Sequence, residues 1–207
     1  MVEVDQIIVG YCRDLGDNKC AATGSVTLIK DQGKNILVDC GDPWNGDQIK
    51  EGLEKNNLNP DQIDYLIITH GHSDHCGNMS MFKNSTILMA EGVAKCANNE
   101  YTCYDVENSY QISENVDVLY MDGHTDVDLA TIVKNTDKGT IVVAGDLIED
   151  KNDRETNSWR FVSKYPERQE LSRKKIFEIG DYIIPGHGEG FKKASCIPHP
   201  LHTQTHL

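Results

Sequence analysis

The sequence predicts an α/β protein built from two β-sheets with helices outside them. Short apolar or alternating runs, which are typical of strands, occur in two groups separated by turns rich in Gly, Asp and Asn. Helical patterns fall irregularly among these runs, which does not favour one doubly wound sheet. A chain of 207 residues is of single-domain size. We expect one domain over residues 1–195 and a Pro- and His-rich flexible tail over residues 196–207.

The first group of strands surrounds one helix. The helix is indicated by Ile49 and Leu53, which lie four residues apart. The segment Asn59-Pro60-Asp61 interrupts the pattern before the next strand. The predicted elements are strands at residues 7–12, 24–29, 35–39 and 63–69 and a helix at residues 46–56.

The second group of strands surrounds the clearest helix of the chain. Pro166 suits the first turn of this helix, and Leu171, Ile176 and Ile179 recur at helical spacing. The predicted elements are strands at residues 86–90, 116–121, 129–133, 140–144 and 182–184 and a helix at residues 166–179.

Composition argues against some functions and locations of the protein. A formal net charge of −13 counts against broad binding of nucleic acid, because affinity for phosphates comes mainly from Lys and Arg. No apolar stretch approaches the roughly 20 residues that cross a bilayer, and the N-terminus has no signal-peptide pattern. The seven cysteines are odd in number and irregularly spaced, as expected of free thiols. We therefore expect a cytoplasmic protein without a membrane partner, with the nucleus as a further location.

The segment His70-Gly71-His72-Ser73-Asp74-His75 carries the strongest functional signal. Imidazole and carboxylate are the ligands that zinc and similar divalent ions select. We expect the histidines at positions 70 and 72 to point the same way at a strand end. A turn after Ser73 would let the following Asp-His pair serve a second ion.

Three later polar residues also follow predicted strands, each beside a glycine: His124, Asp146 and His187. Taken singly, each is more typical of a structural residue or a turn. Together with the first segment they give seven candidate ligands, a number that suits two ions about 3.5–4 Å apart. The predicted metal ligands are His70, His72, Asp74, His75, His124, Asp146 and His187.

Other residues are assigned roles around this centre. Asp39, at another strand end, is expected to accept a hydrogen bond from a ligand imidazole or from a backbone amide of the histidine segment. Asp74 is the predicted catalytic residue, as ligand and proton acceptor beside a metal-bound hydroxide. Trp159 and Arg160 are candidates for stacking a base or contacting phosphate, although ordinary packing and surface charge are favoured for them.

The set of seven residues resembles the signature of the metallo-β-lactamase superfamily, His-x-His-x-Asp-His followed by a later His, Asp and His. The resemblance implies a four-layer αββα sandwich with the metals at one edge. It also implies that His70, His72 and His124 hold the first ion, that Asp74, His75 and His187 hold the second, and that Asp146 bridges them. Two zinc ions are the expected cofactors, with iron or manganese as alternatives.

One small subfamily resembles this chain over about residues 7–191. That subfamily is associated with endonucleolytic cleavage of histone pre-mRNA at its 3′ end, so the resemblance implies an endoribonuclease with an RNA partner. One departure is visible, because residues 123–125 run straight into Asp126 and thereby shorten a loop near the centre. The residues that carry this resemblance include Gly24-Ser25-Val26-Thr27-Leu28, Pro43-Trp44, Ser158-Trp159, Gln169 and Ser172-Arg173-Lys174.

Two alternatives stay open at this point. The same centre could serve a thioester or ester hydrolase of the glyoxalase II type, which suits the acidic composition. A mononuclear iron dioxygenase of persulfides would use only His70, His124 and Asp146 as a facial triad. The oligomeric state also stays open, with a homodimer as one alternative.

Overall fold

The structure, a computed structural model, describes residues 1–17, 19–90, 92–95, 100–103 and 109–193. Fifteen strands, five α-helices and two 3₁₀-helices lie within these residues. The strands are β1 Glu3–Ile8, β2 Tyr11–Gly16, β3 Lys19–Thr23, β4 Val26–Asp31, β5 Lys34–Val38, β6 Tyr65–Ile68, β7 Thr86–Met89, β8 Gly92–Lys95, β9 Glu100–Cys103, β10 Tyr110–Gln111, β11 Val116–Met121, β12 Asp128–Thr136, β13 Gly139–Gly145, β14 Tyr182–Pro185 and β15 Phe191–Lys192. The α-helices are α1 Gly46–Lys55, α2 Ser73–Cys76, α3 Asp153–Thr156, α4 Trp159–Val162 and α5 Pro166–Ile179.

Most of the strands form two mixed sheets. One sheet has the order β1-β4-β5-β6-β7-β8-β9, and the other has the order β10-β11-β12-β13-β14-β15. Parallel pairing joins β5, β6 and β7 in the first sheet and β13 and β14 in the second. Strands β2 and β3 form a separate antiparallel hairpin.

Alternation along the central strands produces three apolar layers. Ile36 and Val38 of β5 lie between the sheets with Ile141 and Val143 of β13. Neighbouring side chains on the same strands point outward, where one sheet packs against α1 and the other against α5. Because both faces of the central strands are buried, these strands are continuously apolar. The layers therefore run helix, sheet, sheet, helix, as the sequence predicted.

Several predicted elements match closely, and one is wrong. Helix α5 and strand β11 have the predicted bounds, and α1 ends one residue early. The strand predicted at residues 7–12 is instead divided at Val9 and Gly10 between β1 and β2. A Cβ at Gly10 would lie 2.6 Å from the carbonyl oxygens of Gly186 and Thr23, so glycine is needed where the chain passes this close to its neighbours at the break.

The hairpin of β2 and β3, the strands β8 to β10 and β15, and the one-turn helices were not predicted. These elements are short, and β2 is exposed along its whole length. Periodicity carries little information over so few residues. The predicted tail over residues 196–207 and the boundary before it lie outside the described residues. Within the described ranges, no helix has the length and apolar character needed to cross a membrane.

Candidate metal centre

The segment that follows β6, residues 69–76, is named here the histidine loop. Strand β6 ends at Ile68, one residue before the predicted end, and His70 and His72 lie in the loop that follows it. The two rings nevertheless meet, with His70 Nε2 2.8 Å from His72 Nδ1. The chain then turns into α2 at Ser73, and this turn carries His75 into the buried interior.

A buried carboxylate from the neighbouring strand holds the histidine loop. Asp39 follows β5 with a positive φ of 62° and accepts hydrogen bonds from the backbone amide and hydroxyl of Thr69 at 2.7 and 2.8 Å. It also lies 2.8 Å from Nδ1 of His75. Asp39 is therefore within hydrogen-bonding distance of both kinds of partner that the sequence predicted for it. With Nδ1 as the donor, His75 keeps the lone pair of Nε2 directed at the centre.

The other three candidate residues arrive from the second sheet. His124 follows β11, Asp146 follows β13 and His187 follows β14. Ring or carboxylate atoms of the candidates fall into two groups, in each of which they lie within 4.8 Å of one another. The groups are His70, His72, His124 and Asp146, and Asp74, His75 and His187.

Asp146 lies between the two groups. Its Oδ2 is 3.5 Å from His70 Nε2, and 3.3 Å from the Nε2 atoms of both His124 and His187. Its Oδ1 is 3.1 Å from His75 Nε2. The structure thus brings together all seven predicted residues in the predicted arrangement, and their role as metal ligands stays a prediction.

The donor atoms of this cluster fit divalent cations better than they fit one another. His75 Nε2 and Asp146 Oδ1 are buried, and neither has a hydrogen-bond partner of normal geometry despite the short distance between them. His72 Nδ1 is approached by ring nitrogens of both His70 and His124, at 2.8 and 3.2 Å. One ring nitrogen offers either a single proton or a single lone pair, so both contacts cannot be satisfied. Cations between these atoms would satisfy them.

The surroundings shift the pKa values of the imidazoles in opposite directions. Burial lowers the pKa of His124 to about 4, and burial together with the nearby His75 holds the pKa of His70 well below its usual value. Burial also opposes charge on His187, but the adjacent Asp146 outweighs it and raises that pKa to about 9. Burial also opposes charge on Asp146, but the attraction of His75 and the hydrogen bond with His187 outweigh it and keep the pKa of Asp146 well below that of a free aspartate. An anionic Asp146 therefore forms the middle of the centre.

The segment that follows β13, residues 146–153, is named here the aspartate loop. Side chains of α5 hold this loop through hydrogen bonds to its backbone carbonyls. Gln169 Nε2 donates to the carbonyl of Asp146 at 2.9 Å, and Arg173 Nη1 donates to the carbonyl of Leu147 at 2.9 Å. Arg173 also makes a bidentate pair with Asp153, with both distances 2.7 Å. This ion pair is buried at both partners.

Two glycines near the centre, one after β11 and one after β14, allow neighbouring segments to approach closely. Gly123 has a φ of 125° and lies against the backbone of Gln169, so its position excludes any Cβ. Gly186 lies directly against the carboxylate of Asp146, which a side chain at that position would displace.

Sequence reasoning missed Glu149, a further carboxylate of the aspartate loop. Its Oε1 lies 3.7 Å from His124 Nδ1, and both atoms are buried without a hydrogen-bond partner. Burial and the neighbouring Asp146 raise the pKa of Glu149 to about 8. Its position three residues after Asp146 was the only local signal, which is weak in a chain with 33 acidic residues.

The favoured interpretation of Trp159 and Arg160, packing and surface charge, agrees with the structure. Trp159 is only 1% exposed, and the guanidinium groups of Arg160 and Arg173 each lie 4.5 Å from its ring centre. Arg160 pairs with Glu170 at 2.9 Å on the surface. Trp159 has no free face on which a base could stack.

Comparison with known proteins agrees with this fold and site. The model of the metallo-β-lactamase superfamily matches residues 22–95. The chain is also 39% identical over 194 residues to metallo-β-lactamase domain-containing protein 1 of Xenopus laevis, which covers 91% of this chain and 81% of that protein. The chain therefore belongs to the metallo-β-lactamase superfamily of metal-dependent hydrolases. The resemblance inferred from the sequence, and the fold that it implied, are both confirmed.

The particular relatives differ in length and in fold similarity. Mammalian proteins with the same name as the Xenopus relative are longer, and the chain spans 59% of the human one at 32% identity. A metallo-β-lactamase structure from Thermotoga maritima has a TM-score of 0.69 at 17% identity and covers 92% of this chain and 99% of its own. An N-acyl homoserine lactone hydrolase, with product bound at its catalytic metal centre, has a TM-score of 0.63 at 21% identity over 86% of this chain and 87% of its own. At these identities the solved structures establish the fold.

Proposed function

We propose that this protein is an endoribonuclease that hydrolyses RNA phosphodiester bonds with two divalent ions, most simply zinc. The observation that carries the proposal is the convergence of seven imidazole and carboxylate side chains into two groups that share Asp146. The choice of RNA rests on the resemblance of nearly the whole chain to the subfamily described above. RNA as the partner and a cytoplasmic and nuclear location belong to the same proposal.

Bound ions would supply Lewis-acid chemistry, polarising the phosphate and making hydroxide available from water near neutral pH. His70, His72 and His124 would hold one ion, and Asp74, His75 and His187 the other. Asp146 is placed to reach both groups. Asp39 fixes the ring of His75.

Asp74 would accept the proton of the attacking water. Its side chain is 18% exposed, whereas His75 and His187 beside it are buried more deeply. Its Oδ2 lies 3.7 Å from the Nε2 atoms of both these histidines. The carboxylate therefore faces the solvent side of the centre, where a substrate phosphate would enter.

Activity measured together with metal content tests the proposal. Protein purified without added metal, stripped with EDTA and reloaded with zinc should cleave a labelled single-stranded RNA. Asp146→Asn and His75→Ala should lose this cleavage together with bound zinc. A reloaded protein that leaves RNA intact while hydrolysing another ester would overturn the proposal. One iron and no zinc per chain would instead support the mononuclear dioxygenase.

A second candidate is hydrolysis of a small thioester, ester or lactone. The observation that favours it is the pairing of the cations beside the centre. Lys164 pairs with Asp126, Arg168 with Asp122, and Arg160 with Glu170. These pairs leave little protein charge for a polyanion in a chain of net charge −13. Assays with S-lactoylglutathione and an N-acyl homoserine lactone, run beside the RNA assay, separate the two candidates.

A further inference from the structure

An almost fully exposed aromatic ring lies beside the candidate metal centre. Phe161, at the third position of α4, is 92% exposed, and its neighbour Val162 is 57% exposed. Both line an open groove of about 580 Å³ that also contains His72 and His124. An exposed ring of this size in a groove that reaches two candidate ligands marks a binding surface.

The position of Phe161 is fixed relative to His124. The residues directly after α4 are hydrogen bonded to the His124 segment: Lys164 N donates to the carbonyl of His124 at 3.1 Å, and Tyr165 N donates to that of Gly123 at 2.8 Å. Trp159 anchors the other end of the helix in the interior. The helical turn that carries Phe161 is therefore fixed at both ends, which fixes the position of the ring relative to the candidate metal centre.

The shape of the groove favours a planar group over an acyl chain. Sites for apolar ligands usually enclose most of the ligand surface, and a ring that is 92% exposed encloses little. Base stacking needs only one free aromatic face and tolerates any base. The groove cation Lys164 is already paired with Asp126, so the protein offers stacking here more than a clamp for phosphate.

We propose that Phe161 is a specificity-determining residue that stacks an unpaired base next to the scissile phosphate. This inference rests on the proposed endoribonuclease function. Bases in a duplex are already stacked and paired, so they would have to leave the helix to use this ring. The protein should therefore select single-stranded over double-stranded RNA.

The test compares Phe161→Ala with Phe161→Trp and with Leu171→Ala, an exposed apolar residue of α5 that does not line the groove. Stacking contributes ~1–3 kcal/mol per base, so Phe161→Ala should lose roughly 5- to 150-fold in kcat/KM on single-stranded RNA. Phe161→Trp and Leu171→Ala should stay near the unmodified protein. All variants should cleave equally an RNA in which the nucleotides next to the scissile phosphate lack their bases, because this substrate places no planar group on the ring.

The outcomes distinguish failure of the stacking role of Phe161 from failure of the proposed endoribonuclease function. If the unmodified protein cleaves RNA and Phe161→Ala cleaves it equally well, the stacking role is wrong and the function stands. An equal loss on the base-free RNA would indicate a structural role instead. A loss confined to long-chain acyl esters would place an acyl group on the ring and overturn the proposal. If the unmodified protein cleaves no RNA, the proposed function fails and the inference fails with it.

Discussion

The histidine loop and the aspartate loop reach the same centre but are held in place differently. Asp39 holds the histidine loop from the adjacent strand end, and its carboxylate contacts a candidate ligand, His75, directly. Gln169 and Arg173 hold the aspartate loop from α5, through backbone carbonyls and through Asp153. We therefore expect a change at Asp39 to affect metal affinity most, and a change at Arg173 to affect stability most.

The largest effect on stability is expected from Arg173→Met. This substitution leaves the buried carboxylate of Asp153 without its partner, and breaking a buried ion pair costs about 3–5 kcal/mol. The free energy of unfolding, measured by urea denaturation, should fall by that amount. Zinc affinity of the folded fraction should change much less.

The double variant Arg173→Met with Asp153→Leu is the control for this prediction. Apolar replacement of both partners of a buried pair is often neutral, so the double variant should regain most of the lost stability. A double variant as unstable as Arg173→Met alone would mean that the hydrogen bonds of these two side chains to the loop backbone, from Arg173 to Leu147 and from the Glu149 amide to Asp153, and not the ion pair, hold the loop.

A smaller loss of stability and a larger loss of metal affinity are expected from Asp39→Asn. The new amide group can donate to Nδ1 of His75, which would move the ring proton to Nε2 and remove the lone pair that faces the centre. Zinc affinity, measured by competition with a chromophoric chelator, should fall about 10- to 100-fold.

Asp31→Asn is a matched control for this variant. Asp31 is also a buried aspartate, and it accepts hydrogen bonds from Ser113 and Asn115, which are not among the candidate ligands. It should lower stability without changing zinc affinity. Equal zinc affinities for Asp39→Asn and the unmodified protein would contradict the role assigned to Asp39.

Gln169→Met should have a modest effect. It removes the donor to the carbonyl of Asp146, but it also removes Oε1 of Gln169, which is buried without a hydrogen-bond partner. Because these two changes oppose each other, stability should fall by only about 1 kcal/mol. Urea denaturation alongside Arg173→Met checks the order of the two effects, and a greater loss for Gln169→Met would reverse the ranking of the two anchors.

A change of opposite sign is expected from Thr131→Val. The Thr131 hydroxyl is buried in β12 without a hydrogen-bond partner, so it anchors neither loop. Removing it should raise the free energy of unfolding by about 1 kcal/mol and leave zinc affinity unchanged. A loss of stability would show that this hydroxyl has a partner in solution.

Long elements and ligand types were predictable because their signals are local. The bounds of α5 and β11 follow from apolar spacing within a few residues, and the cluster at residues 70–75 is recognisable from its side-chain chemistry alone. The hairpin of β2 and β3 was missed because its strands are exposed and short. Glu149 was missed because one glutamate near an aspartate is common.

The sequence by itself determined the layered fold and the seven side chains of the centre, since hydrophobic alternation and ligand chemistry are written residue by residue. Only the tertiary structure decided which neighbours of these side chains matter. It buried Trp159 and exposed Phe161 two residues later, and it joined Arg173 to Asp153 across 20 residues. Such differences depend on contacts between distant segments, and no local pattern of residue types contains them.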